Sequence, residues 1–371
     1  MSNNQPNGLQ NGGIRFSDVV FIIFVVLSCG SFISFNGPVY IDDYYECKFY
    51  TSTSDLFSYS ESIYIYLMKF FASQGLEYKY FILLLLGVGF LLIHTVARRY
   101  LGNNAWLFYL LFFIYPLGES RSTIRNTVAL CIMTYVIPFL SNDDLKSKIK
   151  YIIGVIIAMG FHQTAVIYFV LLLKYPYESL SSINKKRANK LFIIGISVLV
   201  AACFIPAIME PLKQGMDMVL AGSELDESRG NYFEEQGRFG FLLYGGWQCV
   251  FIYMLRRLLA IRICHDKDFV GTPIYRFVNN VILCSSILLF MVFFYKMNNN
   301  FFRIFMNIIP LNYIALLALN QNGKYGIMYK DFKVIACIII VLILGWNDTL
   351  IYLDENIMPM FTDNWLLSLD F

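Results

Sequence analysis

Long apolar blocks separated by short polar connections run through the chain, near 16–36, 80–97, 105–118, 124–140, 190–209, 239–258, 277–295, 304–320 and 332–353. A hydrocarbon core about 30 Å thick takes roughly 20 apolar residues in helical form, so each block predicts one membrane-spanning helix. A further block, Tyr151–Leu173 (YIIGVIIAMGFHQTAVIYFVLLL), is long enough for one span but carries Gly160 and His162 near its middle. Between the first two blocks, FSYSESIYIYLMKFFASQG repeats apolar residues at helical spacing with Ser58, Glu61 and Lys69 interrupting, a pattern that predicts a helix lying at the interface.

Composition agrees with the pattern. Of the 371 residues 57% are hydrophobic and only 15% charged, whereas soluble domains carry about a quarter charged residues. The expected fold class is therefore all-α: a polytopic integral membrane helical bundle of about 10–11 transmembrane segments, one of them a broken or re-entrant pair. The predicted organisation is a disordered cytoplasmic tail at 1–15, one transmembrane domain at 16–353 with outer loops at 37–79 and 210–238, and an outer-face carboxyl-terminal tail at 354–371. No internal repeat, heptad pattern or nucleotide-binding glycine loop is present, and no nucleic-acid partner is expected. The eight cysteines lack CxxC spacing and fall mostly in apolar runs, so they read as small core residues rather than metal ligands or disulfides.

Charge decides how the 151–173 block crosses. Basic residues cluster at Lys174, Lys185, Lys186, Arg187 and Lys190, at Arg256, Arg257, Arg262, Lys267 and Arg276, and at Lys324, Lys330 and Lys333. With a cytoplasmic amino terminus and a single crossing at 151–173, all three clusters would face outward, against the positive-inside rule. If the block instead enters and returns as two short helices joined at Gly160–Gln163, the clusters fall inside with Arg15, Arg98, Arg99, Lys146, Lys148 and Lys150. Half-helices at membrane depth are tolerated where their free backbone ends face protein or a water-filled cavity. The hairpin therefore predicts a cavity at His162, open to the outer face.

That topology collects candidate chemistry at the outer helix ends. Arg121 and Arg125 in YPLGESRSTIRN follow a break at Pro116 and Gly118. Spaced by four, they are expected on one helix face about 6 Å apart. Two guanidinium groups at a helix amino terminus suit a phosphate or pyrophosphate, and headgroup snorkelling is the bland alternative. Arg303 in NNNFFRIFMNIIP is a similar anion-binding candidate. His162 is the one histidine placed near the outer face. It fits either a general base or a residue hydrogen-bonded to carbonyls freed by the break. Asp42, Asp43 and Tyr44 could bind hydroxyls, Glu61 could act as a second acid or base, and Tyr232 and Arg238 sit in the acidic loop Glu210–Arg238. One Asp pair without further ligands does not make a metal site, so neither metal nor cofactor is expected.

Several of these residues together resemble the EpsG-like, Wzy-type polymerases of bacterial surface polysaccharides. The resemblance lies in Asp42-Asp43-Tyr44-Tyr45, Glu61-Ser62-Ile63-Tyr64, the arginine-led Ile124-Arg125-Asn126-Thr127-Val128-Ala129, the turn Phe161-His162-Gln163-Thr164-Ala165, and Arg303. Two positions depart from the family pattern: Asn126 stands where glutamine is common, and Thr164 where serine is usual. The resemblance implies a glycosyltransferase at the periplasmic face of the bacterial inner membrane. It would move a growing glycan from undecaprenyl pyrophosphate to the non-reducing end of a lipid-linked repeat unit. Taken with the charge map, the resemblance points to catalytic roles for His162, Arg125, Glu61 and Asp43, and to substrate contacts for Arg121, Arg303, Asp42 and Tyr44; Tyr232 and Arg238 are candidate contacts on a reading in which the acidic loop covers the cavity, the alternative being a solvated loop. The expected partners are undecaprenyl-pyrophosphate-linked oligosaccharides and membrane lipids, with a chain-length regulator as a candidate. An O-antigen ligase or a lipid-linked oligosaccharide flippase are the alternative functions.

Overall fold

The computed structural model describes residues 15–35, 44–45, 62–117, 123–202, 240–291, 302–320, 332–346 and 358–367, with 204, 205, 208 and 211 besides. The described residues form helices and turns only, in keeping with the all-α expectation. In order they are α1 (Phe16–Phe35), α2 (Ser62–Ser73), α3 (Tyr78–Leu101), α4 (Ala105–Ile114), α5 (Ile124–Val136), α6 (Leu145–Met159), a 3-10 helix (Gln163–Leu173), and α7 (Lys174–Ser179). They continue with α8 (Ser182–Ala202), α9 (Gly240–His265), α10 (Pro273–Leu288), α11 (Phe302–Met306), α12 (Ile309–Asn320), α13 (Phe332–Gly345) and α14 (Pro359–Thr362). Among the described residues five stretches are long and apolar enough to cross a membrane: Phe16–Ile33, Tyr78–Ile114, Ile124–Ser141, Pro273–Met291 and Arg303–Asn320. Exposed apolar side chains such as Ile22, Leu84, Val88, Ile153, Val166 and Val198 face outward along these and neighbouring helices, as expected where the solvent is lipid.

The stretch Tyr78–Ile114 is two antiparallel helices rather than one. The chain reverses at Gly102, whose φ of +55° favours glycine, and the reversal brings His94 Nδ1 within 2.5 Å of the Tyr109 hydroxyl. His94 also stacks on Phe21 at 4.1 Å and lies 3.6 Å from Asp18, which pairs with Arg98 at 3.3 Å. It is a packing residue between α1, α3 and α4.

The block 151–173 folds back on itself. In one straight helix Tyr151 and Tyr168 would lie about 25 Å apart. Instead the Tyr151 hydroxyl donates to the Tyr168 carbonyl at 2.6 Å. The open ends of the hairpin meet too, where the Tyr175 hydroxyl donates to the Asn142 carbonyl at 3.2 Å and Lys148 Nζ lies 4.0 Å above the Tyr175 ring. The limbs match in reach despite unequal residue counts: fifteen α-helical residues rise roughly 22 Å, and eleven 3-10 residues about the same. At the entry, Asp144 caps α6 by accepting from both the amide and the hydroxyl of Ser147, which holds its carboxyl below the usual carboxylate range.

Because the hairpin returns to the end it left, the bundle has a basic end and a tip end. At the basic end Tyr100 stacks on Phe277 at 3.7 Å, Asn280 Nδ2 donates to the Ile137 carbonyl at 3.1 Å, and Lys174 donates to the Leu140 carbonyl. These contacts bring Arg98, Arg99, Lys146, Lys148, Lys150, Arg276 and the start of α8 to one side. Lys185, Lys186, Arg187 and Lys190 lie on α8 itself, which starts eight residues before the apolar block that predicted it. Two residues of the orientation clusters are not solvated charges: Lys174 is buried beside Glu178 at 3.4 Å, and Arg262 is buried beside Asp266 at 3.7 Å.

The centre consists of α5 and α12, in which nearly every residue is buried. Lipid chains are as apolar as leucine, so packing and interhelical hydrogen bonds must supply the adhesion between helices. Ser285 Oγ donates to Asn312 Oδ1 at 2.8 Å, tying α10 to α12, and Arg256 donates to Ser286 Oγ at 2.9 Å, tying α9 to α10. Close approach is made at small residues: a β-carbon on Gly154 would lie 2.3 Å from Val136, and one on Gly345 would lie 2.7 Å from the Ile114 carbonyl oxygen. The chain end, expected as an outer tail, packs back onto α1. There Asn364 Nδ2 lies within hydrogen-bond reach of the Val26, Leu27 and Met360 carbonyls, and Trp365 meets Tyr80.

Candidate functional site

The tip end is where backbone groups freed by helix breaks are closed by other elements. At the hairpin tip, α6 ends at Met159, Gly160 and Phe161 turn, and His162 adopts an extended conformation before the 3-10 limb. The Gly160 carbonyl accepts from the amides of Ile63 and Tyr64, both at 3.0 Å. Those are first-turn donors of α2, which have no partner within their own helix. The approach is close enough that a β-carbon on Gly160 would lie 2.4 Å from the Ile63 side chain. Hence the helix expected at the interface begins on the hairpin tip.

A second break separates α11 from α12. The Ile308 amide bonds the Phe305 carbonyl at 3.1 Å, so it does not reach back to Ile304. The Ile304 carbonyl instead accepts the Tyr168 hydroxyl from the hairpin. In the same turn Asn307 Nδ2 donates to Asn126 Oδ1 on α5 at 3.5 Å. Asn126, Asn307 and Tyr168 are all buried to within 1% exposure, so this polar cluster sits in the packed interior. Arg125 directly precedes Asn126, and Arg303 lies one turn before Asn307, whose amide bonds the Arg303 carbonyl. Three separate elements thereby bring half-buried Arg125, Arg303 and His162 to the same end of the bundle. The first-turn amides of α5, whose dipole favours negative charge, add to that end.

A shared helix face for Arg121 and Arg125 requires the residues between them to be helical; Thr123 is not, at φ −140°, ψ 68°, and α5 begins only at Ile124. Tyr44 is fully buried among Tyr45, Tyr78 and Phe81, and its hydroxyl donates to the Leu76 carbonyl at 2.8 Å. Asp42, Asp43, Glu61, Arg121, Tyr232 and Arg238 lie outside the described residues.

Sequence reasoning missed the buried amides. A cavity of about 30 Å³ lies beside α11, lined by Trp247, Gln248, Phe305, Asn312, Tyr313 and Leu344 among others. It has room for a water or two. Gln248 Oε1 and Trp247 Nε1 are buried there and bond to no other described residue. The available signal was the rarity of amide side chains inside apolar blocks, at Asn126, Gln248, Asn280, Asn307 and Asn312. Among the described residues no three His, Cys, Asp or Glu side chains gather closely enough to hold a metal ion.

A comparison with protein families places this architecture. The EpsG family model matches residues 19–360, from the first turn of α1 to α14. The chain belongs to the EpsG family. No curated protein and no solved structure matches it. The match takes in the hairpin, the broken α11–α12 helix, Arg125 and Arg303, so the tip end lies wholly within the family's extent. Membership makes this a multi-pass membrane protein of polysaccharide biosynthesis with a polymerase-like role.

Proposed function

We propose that the protein is a surface-polysaccharide polymerase working on undecaprenyl-pyrophosphate-linked sugars at the outer face of the inner membrane. One observation carries the proposal: Arg125, Arg303 and His162 come from three elements to the tip end, opposite the basic end. The positive-inside rule turns the basic end toward the cytoplasm and the tip toward the compartment where flipped lipid-linked sugars arrive.

In the proposed reaction a hydroxyl at the non-reducing end of one lipid-linked repeat unit attacks the anomeric carbon of the growing glycan. The bond from that carbon to the pyrophosphate oxygen breaks, and undecaprenyl pyrophosphate leaves with the bonding pair. Arg125 and Arg303 bind the pyrophosphate and stabilise the charge that grows on it. Preorganised donors of this kind are worth about 10²–10³ in rate each. His162 takes the proton of the attacking hydroxyl. The donor arrives activated by its own leaving group, so no nucleotide-sugar site is required.

The test is loss of the protein in its host, read on a lipopolysaccharide gel. A missing polymerase leaves core bearing a single repeat unit. A bare core with polymer still on the lipid carrier would identify a ligase instead, and a bare core with single units trapped inside would identify a flippase. In the same assay Arg125→Ala is expected to abolish polymerisation while the protein still inserts. Normal chain length at normal expression removes the arginine from the mechanism.

A further inference from the structure

We infer that Tyr168, Asn126 and Asn307 are positioning residues: a buried polar strap that fixes the separation of Arg125 and Arg303 and so selects a diphosphate over a monophosphate. The inference rests on the proposed binding of pyrophosphate by those two arginines and assigns its selectivity to residues that do not touch the ligand.

The two arginines stand on helices far apart in sequence, α5 and α11, and α11 is cut off from α12 by a helix break, so no single helix sets their spacing. Arg125 is held through its neighbour Asn126, on the most buried helix of the bundle. Arg303 belongs to a five-residue helix, too short to hold its own orientation. That short helix is secured at two successive points. The Tyr168 hydroxyl takes the Ile304 carbonyl left open by the break, and the Asn307 side chain reaches across to Asn126. Both links are buried, where a polar group lacking its partner is costly, so alternative arrangements are disfavoured. One guanidinium suffices for a single phosphate. Only a ligand with two anionic groups gains from having both at a fixed distance.

The experiment measures binding of inorganic pyrophosphate and of inorganic phosphate to the purified full-length protein by calorimetry. It compares wild type with Tyr168→Phe, Asn307→Ser, Arg125→Ala, Arg303→Ala and the Tyr168→Phe/Arg303→Ala pair. Tyr168→Phe removes one oxygen and keeps the ring; Asn307→Ser provides a second break in the strap should the first variant fold poorly. Losing one buried hydrogen bond is expected to weaken pyrophosphate binding about tenfold and leave phosphate binding unchanged. In the Arg303→Ala background the same change is expected to have no further effect, because the strap then has no second arginine to place. Equal weakening toward both anions, or equal weakening with and without Arg303, overturns the positioning role and leaves the arginine site standing. Unchanged pyrophosphate binding in Tyr168→Phe and Asn307→Ser does the same. If Arg125→Ala and Arg303→Ala bind pyrophosphate as wild type does, the arginine site itself is wrong and the strap falls with it.

Discussion

Replacing Gly160 by alanine tests how the hairpin tip is built. Gly160 has φ −67° and ψ −14°, open to any residue, so alanine introduces no backbone strain there and the effect is steric. The added β-carbon would stand 2.4 Å from Ile63 Cδ1 and Cγ1 and 2.7 Å from Ile63 Cβ. Rotating the side chain cannot move Cβ, so α2 itself must withdraw. Reaching ordinary contact beyond 3.4 Å takes a shift of about 1 Å. That shift would stretch the two 3.0 Å bonds from the Ile63 and Tyr64 amides past hydrogen-bonding range. At a net value of about 0.5–1.5 kcal/mol each, the two bonds together stabilise docking by roughly 1–3 kcal/mol. In hydrogen exchange that is a 5–150-fold acceleration, read on a peptide covering 63–64 in the purified protein in nanodiscs. Gly195→Ala, with nothing within 4 Å of its added carbon, is the control. Unchanged protection at 63–64 in Gly160→Ala would refute the claim that α2 is anchored on the hairpin tip.

Other consequences follow from single contacts. His162→Ala is expected to lower turnover about 10²-fold or more with little change in KM, as removal of a general base does; a fall below fivefold in a reconstituted polymerisation assay takes His162 out of the chemistry. Gly30→Ala would put a carbon 1.7 Å from Asn364 Oδ1 and so unseat the chain end from α1. Thermal unfolding in detergent should show it as a clear fall in melting temperature, whereas Gly246→Ala, with open space around it, should melt as wild type does. Ser285→Ala removes the donor to Asn312 and is expected to cost about 0.6 kcal/mol, the average for an interhelical bond in a membrane protein; a loss above 2 kcal/mol would mean the bond belongs to a larger network.

The helical bundle was legible because apolar block length and backbone satisfaction in lipid leave few alternatives. The hairpin was legible by a less direct route, since periodicity alone cannot tell a 23-residue span from two half-length limbs. Charge parity could, because the clusters after His162 made sense only if the chain came back. The same count misjudged Lys174 and Arg262, which are buried in ion pairs and report nothing about a membrane face. At Arg121 and Arg125 a spacing of four implies one face only if the residues between are helical, and Thr123 is not. A tyrosine beside two aspartates looks solvated in the sequence, and only packing shows the Tyr44 hydroxyl donating to the Leu76 carbonyl.

The strap was invisible for a related reason. Ile304 and Tyr168 stand 136 positions apart and Asn307 and Asn126 181, and no local pattern signals that a broken helix in one half of the chain will find its missing donor in the other. Yet the need for such donors follows from the sequence. A break in lipid frees carbonyls, and each must be met by something. Ile137 is met by Asn280, Leu140 by Lys174, Gly160 by the start of α2 and Ile304 by Tyr168. Donors such as Asn280, Lys174 and Tyr168 are therefore expected wherever Pro or Gly interrupts an apolar block. At the basic end the donors to Ile137 and Leu140 hold helix ends in place. At the tip the same kind of closure also binds together the elements that carry Arg125, His162 and Arg303. The demand that lipid makes on broken helices can thus hold together, as a by-product, the elements on which the proposed diphosphate site depends.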